Sequence, residues 1–418
     1  MNTFEDARDS FFRNRFGLFI HWGLYALRGW HEQHQQRLGV ARAEYEKLRH
    51  EWNPVHFDPD AWLDLAERVG MQYLCVTTKH HDGFCLWNTA QSAFNVTNTP
   101  DGRDVVGLLA EACQRRGMPL CLYYSVADWH HPNYPNQGRH HELPPQPGDE
   151  PNWAKYMTFL KAQVYELCTN YGPIHGFWWD MNVPEAIDES VNSMIRKLQP
   201  QAVINDRGFD RGDFSTRERD DGQHGDHPIT FDRPTEGCQS VGMESWGYRE
   251  DEDYYTDRHL MRCIDKYLAR GANYLLNVGP MADGRFDERA TALLERIGQW
   301  YANVRESFED VAPASHLTDN RNVLLTRRDN TLYVHLYTDP IATGVKLAPI
   351  TATPRSATLL NDGSAVSFST ELLPSEFRSG TRCLRLRGLP VNETANTVMV
   401  IKLEFDELPE AVDHDHLE

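Results

Sequence analysis

Asp180 closes the run Ile174-His175-Gly176-Phe177-Trp178-Trp179-Asp180, an apolar and aromatic stretch that reads as a buried strand carrying a carboxylate to its C-terminal tip. An unpaired buried charge is costly or shifts its pKa. An acid beside two tryptophans therefore points to a site that grips a ligand with apolar faces and reacts with it, and a sugar fits. Cleaving a glycoside with retention needs two carboxyl groups about 5 Å apart, one a nucleophile and one a general acid. Asp180 is the natural nucleophile; its alternative role is to close a turn at Asn182-Val183-Pro184. The partner must come from a later strand end or loop. The segment from Arg211 through Glu218 to Glu236 offers several acids, between which residue chemistry does not choose, while Asp220 and Asp221 read as solvated.

The other strand ends are polar as well: His21, His80 and His81, Tyr123, Asp206 with Arg207, and Asn277. Ends facing a filled core would be aliphatic, so this set describes a polar pocket with aromatic walls. Lys79-His80-His81-Asp82-Gly83-Phe84 puts adjacent imidazoles at one strand mouth, where neutral rings donate to and accept from sugar hydroxyls. Neighbouring side chains on a strand point to opposite faces, so without a bend the two cannot share an ion, and no catalytic metal is expected. Arg207 either holds Asp180 ionised, binds a ring hydroxyl, or makes a structural ion pair near Asp206. Trp30, Trp87 and Trp178 are candidate stacking platforms. His130-His131-Pro132 and His140-His141 read as solvated loop.

These groups need strands to carry them. From Phe16 to about Val304 short apolar runs alternate with helical patterns, as in βα units around a parallel sheet. The strand candidates are Phe16 to Trp22, Tyr73 to Thr78, Leu120 to Ser125, His175 to Asp180, Ala202 to Asn205, a weaker one near Gln239 to Trp246, and Tyr274 to Val278. Val105, Leu108, Leu109, Ala112 and Cys113 predict a helix capped by Asp104 and ended by Gly117. The same spacing recurs over Leu260 to Leu268 after Thr256, and over Ala290 to Ile297. No Gly-rich phosphate turn follows the first strand, so a (β/α)8-like barrel suits the pattern better than a doubly wound sheet. Beyond Val311 alternation at Leu332 to Tyr337, Leu384 to Leu386 and Thr397 to Phe405 predicts a small antiparallel β module. The expected units are residues 1–310, 316–406 and an acidic tail at 407–418, joined near Asp310 to His316.

The 418 residues carry a formal net charge of −19, which argues against nucleic acid or an anionic membrane as partner. Eight scattered cysteines without a CxxC pair suggest a reducing compartment. No apolar leader follows Met1 and no stretch approaches ~18 uninterrupted apolar residues, so a soluble, cytoplasmic protein is expected. His414 and His416 read as part of a solvated tail. A homo-oligomer is compatible with the sequence, which leaves the oligomeric state open.

In order along the chain stand Phe16-Gly17-Leu18-Phe19-Ile20-His21-Trp22-Gly23, Lys79 to Phe84 with Leu86-Trp87, Arg103-Asp104, Leu122-Tyr123-Tyr124-Ser125, Phe177-Trp178-Trp179-Asp180, Asn205-Asp206-Arg207, Ser245-Trp246-Gly247-Tyr248 and Asn273 to Gly279. Together, over about residues 12 to 305, they resemble the α-L-fucosidases of glycoside hydrolase family 29. The resemblance implies a (β/α)8-like (TIM-type) barrel followed by a C-terminal antiparallel β-sandwich, retaining hydrolysis of fucosides, and no metal or other cofactor. It places Asp180 at the nucleophile position and His21, Glu32, His80, His81, Tyr123, Trp178 and Arg207 at fucose-binding positions. For the acid/base, Glu218 follows Gly212-Asp213-Phe214-Ser215-Thr216-Arg217, similar to a family pattern in which proline stands where Arg217 is. Glu236 matches another proposed position, with Thr235 in place of tryptophan, and Met181 replaces the usual glycine after the nucleophile. The leading expectation is an exo-acting enzyme using Asp180 and Glu218 on a small-molecule or oligosaccharide fucoside. A fucose-binding protein on a degenerate scaffold and a metal-dependent hydrolase are the alternatives.

Overall fold

In the computed structural model, which describes residues 4–139, 141–180, 188–219, 230–378, 380 and 382–408, eight parallel strands form the N-terminal unit. They are β1 (Phe16–Ile20), β2 (Tyr73–Lys79), β3 (Leu120–Ser125), β4 (Gly176–Asp180), β5 (Val203–Ile204), β6 (Ser215–Glu218), β7 (Thr235–Ser240) and β8 (Asn273–Val278). Their order, β5-β4-β3-β2-β1-β8-β7-β6, is that of a barrel opened between β5 and β6. A single parallel bridge, Asn205 to Phe214, joins those two edges. Six longer helices are described: α1 (Pro59–Val69), α2 (Val105–Arg116), α3 (Trp153–Asn170), α4 (Ser190–Leu198), α5 (Asp257–Leu268) and α6 (Glu288–Val304). The expected caps are in place. Asp104 accepts from Gly107 N, Thr256 accepts from His259 N, and Gly117 ends α2 in the left-handed region.

Two strand expectations are corrected. β6, Ser-Thr-Arg-Glu, has no apolar residue and escaped pattern reading; its polar tip reaches solvent. The seventh strand begins at Thr235 rather than near Gln239, because its inward side chains Glu236, Cys238 and Ser240 interrupt any apolar run.

Closure between β5 and β6 rests on Gly212-Asp213-Phe214. Gly212 turns with φ +60, and a Cβ there would lie 2.3 Å from the Asn205 carbonyl oxygen. Asp213 N donates to Ile204 O (2.6 Å), and Asp213 Oδ2 accepts from Ile204 N (2.8 Å). The same carboxylate pairs with Arg8 and Arg196. Phe214 stacks on Phe11 at the barrel bottom. The motif thus aims β6, and Glu218 at its end.

Residues 312–404 form two antiparallel sheets around their own apolar core. One has five strands in the order β13-β16-β11-β10-β9, from β9 (Ala312–Pro313), β10 (Leu324–Arg328), β11 (Thr331–Leu336), β13 (Ser356–Leu359) and β16 (Met399–Glu404). The other pairs β15 (Arg382–Arg387) with β12 (Gly344–Leu347) and β14 (Ser367–Leu372). The segment expected as a linker contributes β9, paired to β10. Trp300 Nε1 donates to Val398 O (2.9 Å), and the buried His335 Nδ1 meets Asp265 Oδ1 at 2.7 Å, so this module is docked on α5 and α6. All eight cysteines are buried and unbridged. Among the described residues no helix is long and apolar enough to cross a membrane. Residues 409–418, with His414 and His416, lie outside the described residues, as do Met181 to Pro184, His140, Asp220 and Asp221.

Candidate active site

At the C-terminal mouth of the barrel, His21, Glu32, His80, His81, Tyr123, Trp178, Asp180 and Glu218 line one open pocket, joined by Phe19, Gln33, Cys238 and Trp246. Its empty space, counting the open mouth, is about 330 Å³. The register explains the convergence: Tyr123 pairs with Trp178 and Ser125 with Asp180, so alternate residues of β3 and β4 turn inward together.

Asp180 is held from two sides. Tyr123 donates its hydroxyl proton to Oδ2 at 2.7 Å, and Arg207 Nη1 donates to Oδ1 at 3.0 Å. The other arm of Arg207, Nη2, lies 2.6 Å from Glu218 Oε2, so one guanidinium spans both carboxyl groups. Arg207 itself is carried by Asn205-Asp206-Arg207. Asn205 takes the Trp179 N–H on Oδ1 and gives Nδ2 protons to Trp179 O and Thr216 Oγ1, while Asp206 accepts from Thr216 N. The arginine serves the site rather than a structural pair at Asp206.

The histidines do not face opposite ways as strand geometry predicts. A register shift between Thr77 and Lys79 and a turn closed by Gly83 N on His80 O bring both rings to the pocket, with centroids 4.0 Å apart. Beneath them Lys79 is buried in a 2.7 Å ion pair with Asp128, and Gly83 leaves room for that carboxylate, since a Cβ there would lie 2.4 Å from Asp128 Oδ1. Burial pushes His21 and His81 down to about 4 and His80 well below its usual value, so all three are neutral near pH 7. Their tautomers follow from the partners. Ser125 Oγ donates to Ala127 O and therefore accepts from His81 Nδ1; Asn277 Nδ2 donates to Trp246 O, so Oδ1 accepts from His21 Nδ1. In His21 and His81 this leaves Nε2 as an acceptor for a hydroxyl. Glu32 Oε2 accepts from Ser245 Oγ, Trp246 N and Gly247 N; burial alone would raise its pKa, but His31, Ser245 and His21 bring it below the usual value.

Glu236, kept open beside Glu218 as an acid/base, does not line this pocket. It lies one layer lower, 2 % exposed and covered by Trp178, because β7 turns Glu236 inward two residues before Cys238 reaches the pocket wall. Trp87 is core, with Nε1 donating to Glu166, and Trp30 stands outside the pocket. Trp246, in the Ser245-Trp246-Gly247-Tyr248 motif, supplies the aromatic wall that those two do not. Phe19 and Cys238 were missed, though period-two counting back from His21 would have found Phe19. Among the described residues no three His, Cys, Asp or Glu side chains are grouped as ion ligands are.

The family model described as Alpha-L-fucosidase matches residues 2–306, the whole barrel. The chain belongs to the α-L-fucosidase family. Its members are glycoside hydrolases, and relatives include human tissue α-L-fucosidase, 27% identical over 403 residues that cover 85% of this chain and 81% of the relative. Bovine tissue α-L-fucosidase is 27% identical over 366 residues, covering 77% of this chain and 73% of the relative. Among solved structures, α-L-fucosidase isoenzyme 1 from Paenibacillus thiaminolyticus superposes with a TM-score of 0.83 at 31% identity, covering 96% of this chain and 100% of that one. A family 29 α-L-fucosidase from Bacteroides thetaiotaomicron, trapped as a covalent intermediate with 2-fluoro-fucosyl fluoride in a glutamate-to-glutamine variant, matches with a TM-score of 0.80 at 27% identity and 96% coverage of both chains. The barrel and β module of this chain are those of the fucosidase family.

Proposed function

We propose that the protein is a retaining, exo-acting α-L-fucosidase that releases terminal α-L-fucose through a fucosyl-Asp180 ester. The observation that carries this reading is Arg207, whose single guanidinium bonds Asp180 and Glu218 and so keeps the two carboxyl groups close, as retention needs and inversion does not. In the first step an Asp180 oxygen bonds to the anomeric carbon, the glycosidic C–O bond breaks, and the leaving oxygen takes the proton of Glu218. In the second, Glu218 takes a proton from water, the water oxygen bonds to the anomeric carbon, and the Asp180 ester bond breaks. The neutral Nε2 atoms of His21 and His81 accept hydroxyl protons, Glu32 adds a buried acceptor, and Trp178 and Trp246 meet the apolar face. A small pocket closed below by Trp178 suits one terminal sugar rather than a chain interior, which supports exo action.

Asp180→Gly tests the nucleophile with an aryl α-L-fucoside; retention of most activity would refute it. Glu218→Ala tests the acid/base. Azide should restore its turnover and yield an α-fucosyl azide, because an external anion attacks the β-linked ester from the opposite face without base help. Failure of azide to act on this variant would move the role elsewhere.

A further inference from the structure

The Glu236 carboxyl is sealed beneath the pocket floor, and nothing in the mechanism above uses it. Its Oε1 accepts from Trp178 Nε1 at 3.0 Å and its Oε2 is bonded to the Tyr73 hydroxyl. The remaining surroundings are Phe11, Phe214, Val203, Leu275 and the thiols of Cys75 and Cys121, with Cys238 two residues along its own strand. Among the described residues that line this layer there is no arginine, lysine or histidine. Burial without a counter-charge pushes the carboxyl up to about 7, so it is largely neutral below that pH. A charge-free carboxyl accepting an indole proton is a fixed hydrogen-bonding group, not a proton donor aimed at a ligand.

What it fixes is the indole of Trp178. That ring stacks on Tyr123, with centroids 5.6 Å apart and planes 20° from parallel, and lies 5.3 Å from the Arg207 guanidinium. Tyr123 and Arg207 each bond Asp180. Pairing with β3 and β5 holds the backbone of β4, so the freedom left to Trp178 is rotation about its side-chain bonds. Rotation would strip the Nε1 proton of its acceptor inside an apolar layer, which is unfavourable.

We propose that Glu236 is a positioning residue, which locks the Trp178 indole and through it the Tyr123 and Arg207 groups that aim Asp180. The proposal rests on the reading of Asp180 as nucleophile. Two substitutions of similar volume separate it from the alternatives. In Glu236→Gln the amide oxygen accepts from Trp178 and the amide N–H donates to the Tyr73 oxygen, reproducing the neutral carboxyl. In Glu236→Met the Trp178 indole loses its acceptor and the Tyr73 hydroxyl loses its polar partner. Hydrolysis of 4-nitrophenyl α-L-fucoside is followed with active sites counted by stoichiometric trapping with 2-fluoro-fucosyl fluoride. Glu236→Gln should keep kcat per site within about threefold of the parent, and Glu236→Met should lose at least about tenfold, the scale of one unpaired buried donor. Equal loss in both variants, with azide restoring both, would make Glu236 the acid/base and overturn the proposal. So would a Glu236→Met protein with parental kcat per site and only a lower Tm, which is a purely structural role. Asp180→Gly run alongside reports on the nucleophile independently, so failure of that reading is not mistaken for failure of this one.

Discussion

Arg207 Nη2 stands 2.6 Å from Glu218 Oε2 while its Nη1 bonds Asp180 Oδ1, so one planar cation sets the spacing of the two carboxyl groups. Lysine has a single ammonium and cannot make that fork. Arg207→Lys should therefore keep the local charge but lose about tenfold to a hundredfold in kcat/KM, the scale of one lost charge-assisted bond. Steady-state kinetics on an aryl α-L-fucoside checks this, and parental kcat/KM in the lysine variant would show that charge alone suffices.

Tyr123 donates to Asp180 Oδ2 at 2.7 Å from a ring that is fully buried. Tyr123→Phe removes the oxygen and leaves the ring stacked on Trp178. Hydrogen bonds to charged groups contribute about 1.5–3 kcal/mol, so kcat should fall about tenfold to a hundredfold. The Tm should move little, since the phenyl ring still fills its place; a large Tm loss with unchanged kcat would reverse the assignment.

How much of this was readable beforehand depends on which face a residue shows. Asp180, Tyr123 and His21 end runs of apolar strand, and the contrast of one polar group after many apolar ones is visible in any linear scan. β6 has no such contrast. Ser215 to Glu218 are all polar because the strand lies at the barrel's weakest seam, and what makes it a strand is Asp213 and Phe214 pinned to β5, a tertiary cause. Glu236 illustrates the opposite failure. Motif position made it a rival to Glu218, but depth along the barrel axis separates them, and depth follows from strand register, which no single segment reveals. His80 and His81 were expected on opposite faces; the register shift at Thr77 and Lys79 that reunites them is likewise set by the neighbouring β3.

The buried imidazoles make stability depend on pH. Burial holds His21, His34, His81 and His175 at about 4 and His80 lower, with smaller drops at His31, His130 and His131. Between about pH 6.5 and 4 the unfolded chain protonates these rings and the folded one does not, so stability falls as pH falls, by up to about 1.4 kcal/mol per pH unit for each ring. Burial raises Glu236 to about 7, Asp82 to about 6 and Glu252 by less, and these act in the opposite sense, but the histidines outnumber them. Urea midpoints should therefore drop steadily from pH 7 to pH 4.5. A midpoint that is flat or rises over that interval would mean the rings are protonated in the folded state.

Gly212 is the position where a single methyl group should disconnect the acid from the rest of the site. Its φ of +60 strains any other residue except with local compensation, and the Cβ of alanine would stand 2.3 Å from the Asn205 carbonyl oxygen, a backbone atom that cannot swing aside. Asn205 also ties Trp179 to Thr216, so a shift there propagates to both β4 and β6. Gly212→Ala should cost at least about 2 kcal/mol in urea unfolding, from the left-handed strain plus the displaced carbonyl. It should also lower kcat more than Arg207→Lys does, because Glu218 and Arg207 both ride on the displaced segments. If the variant unfolds like the parent and turns over at the parental rate, the β5–β6 seam is not what aims Glu218.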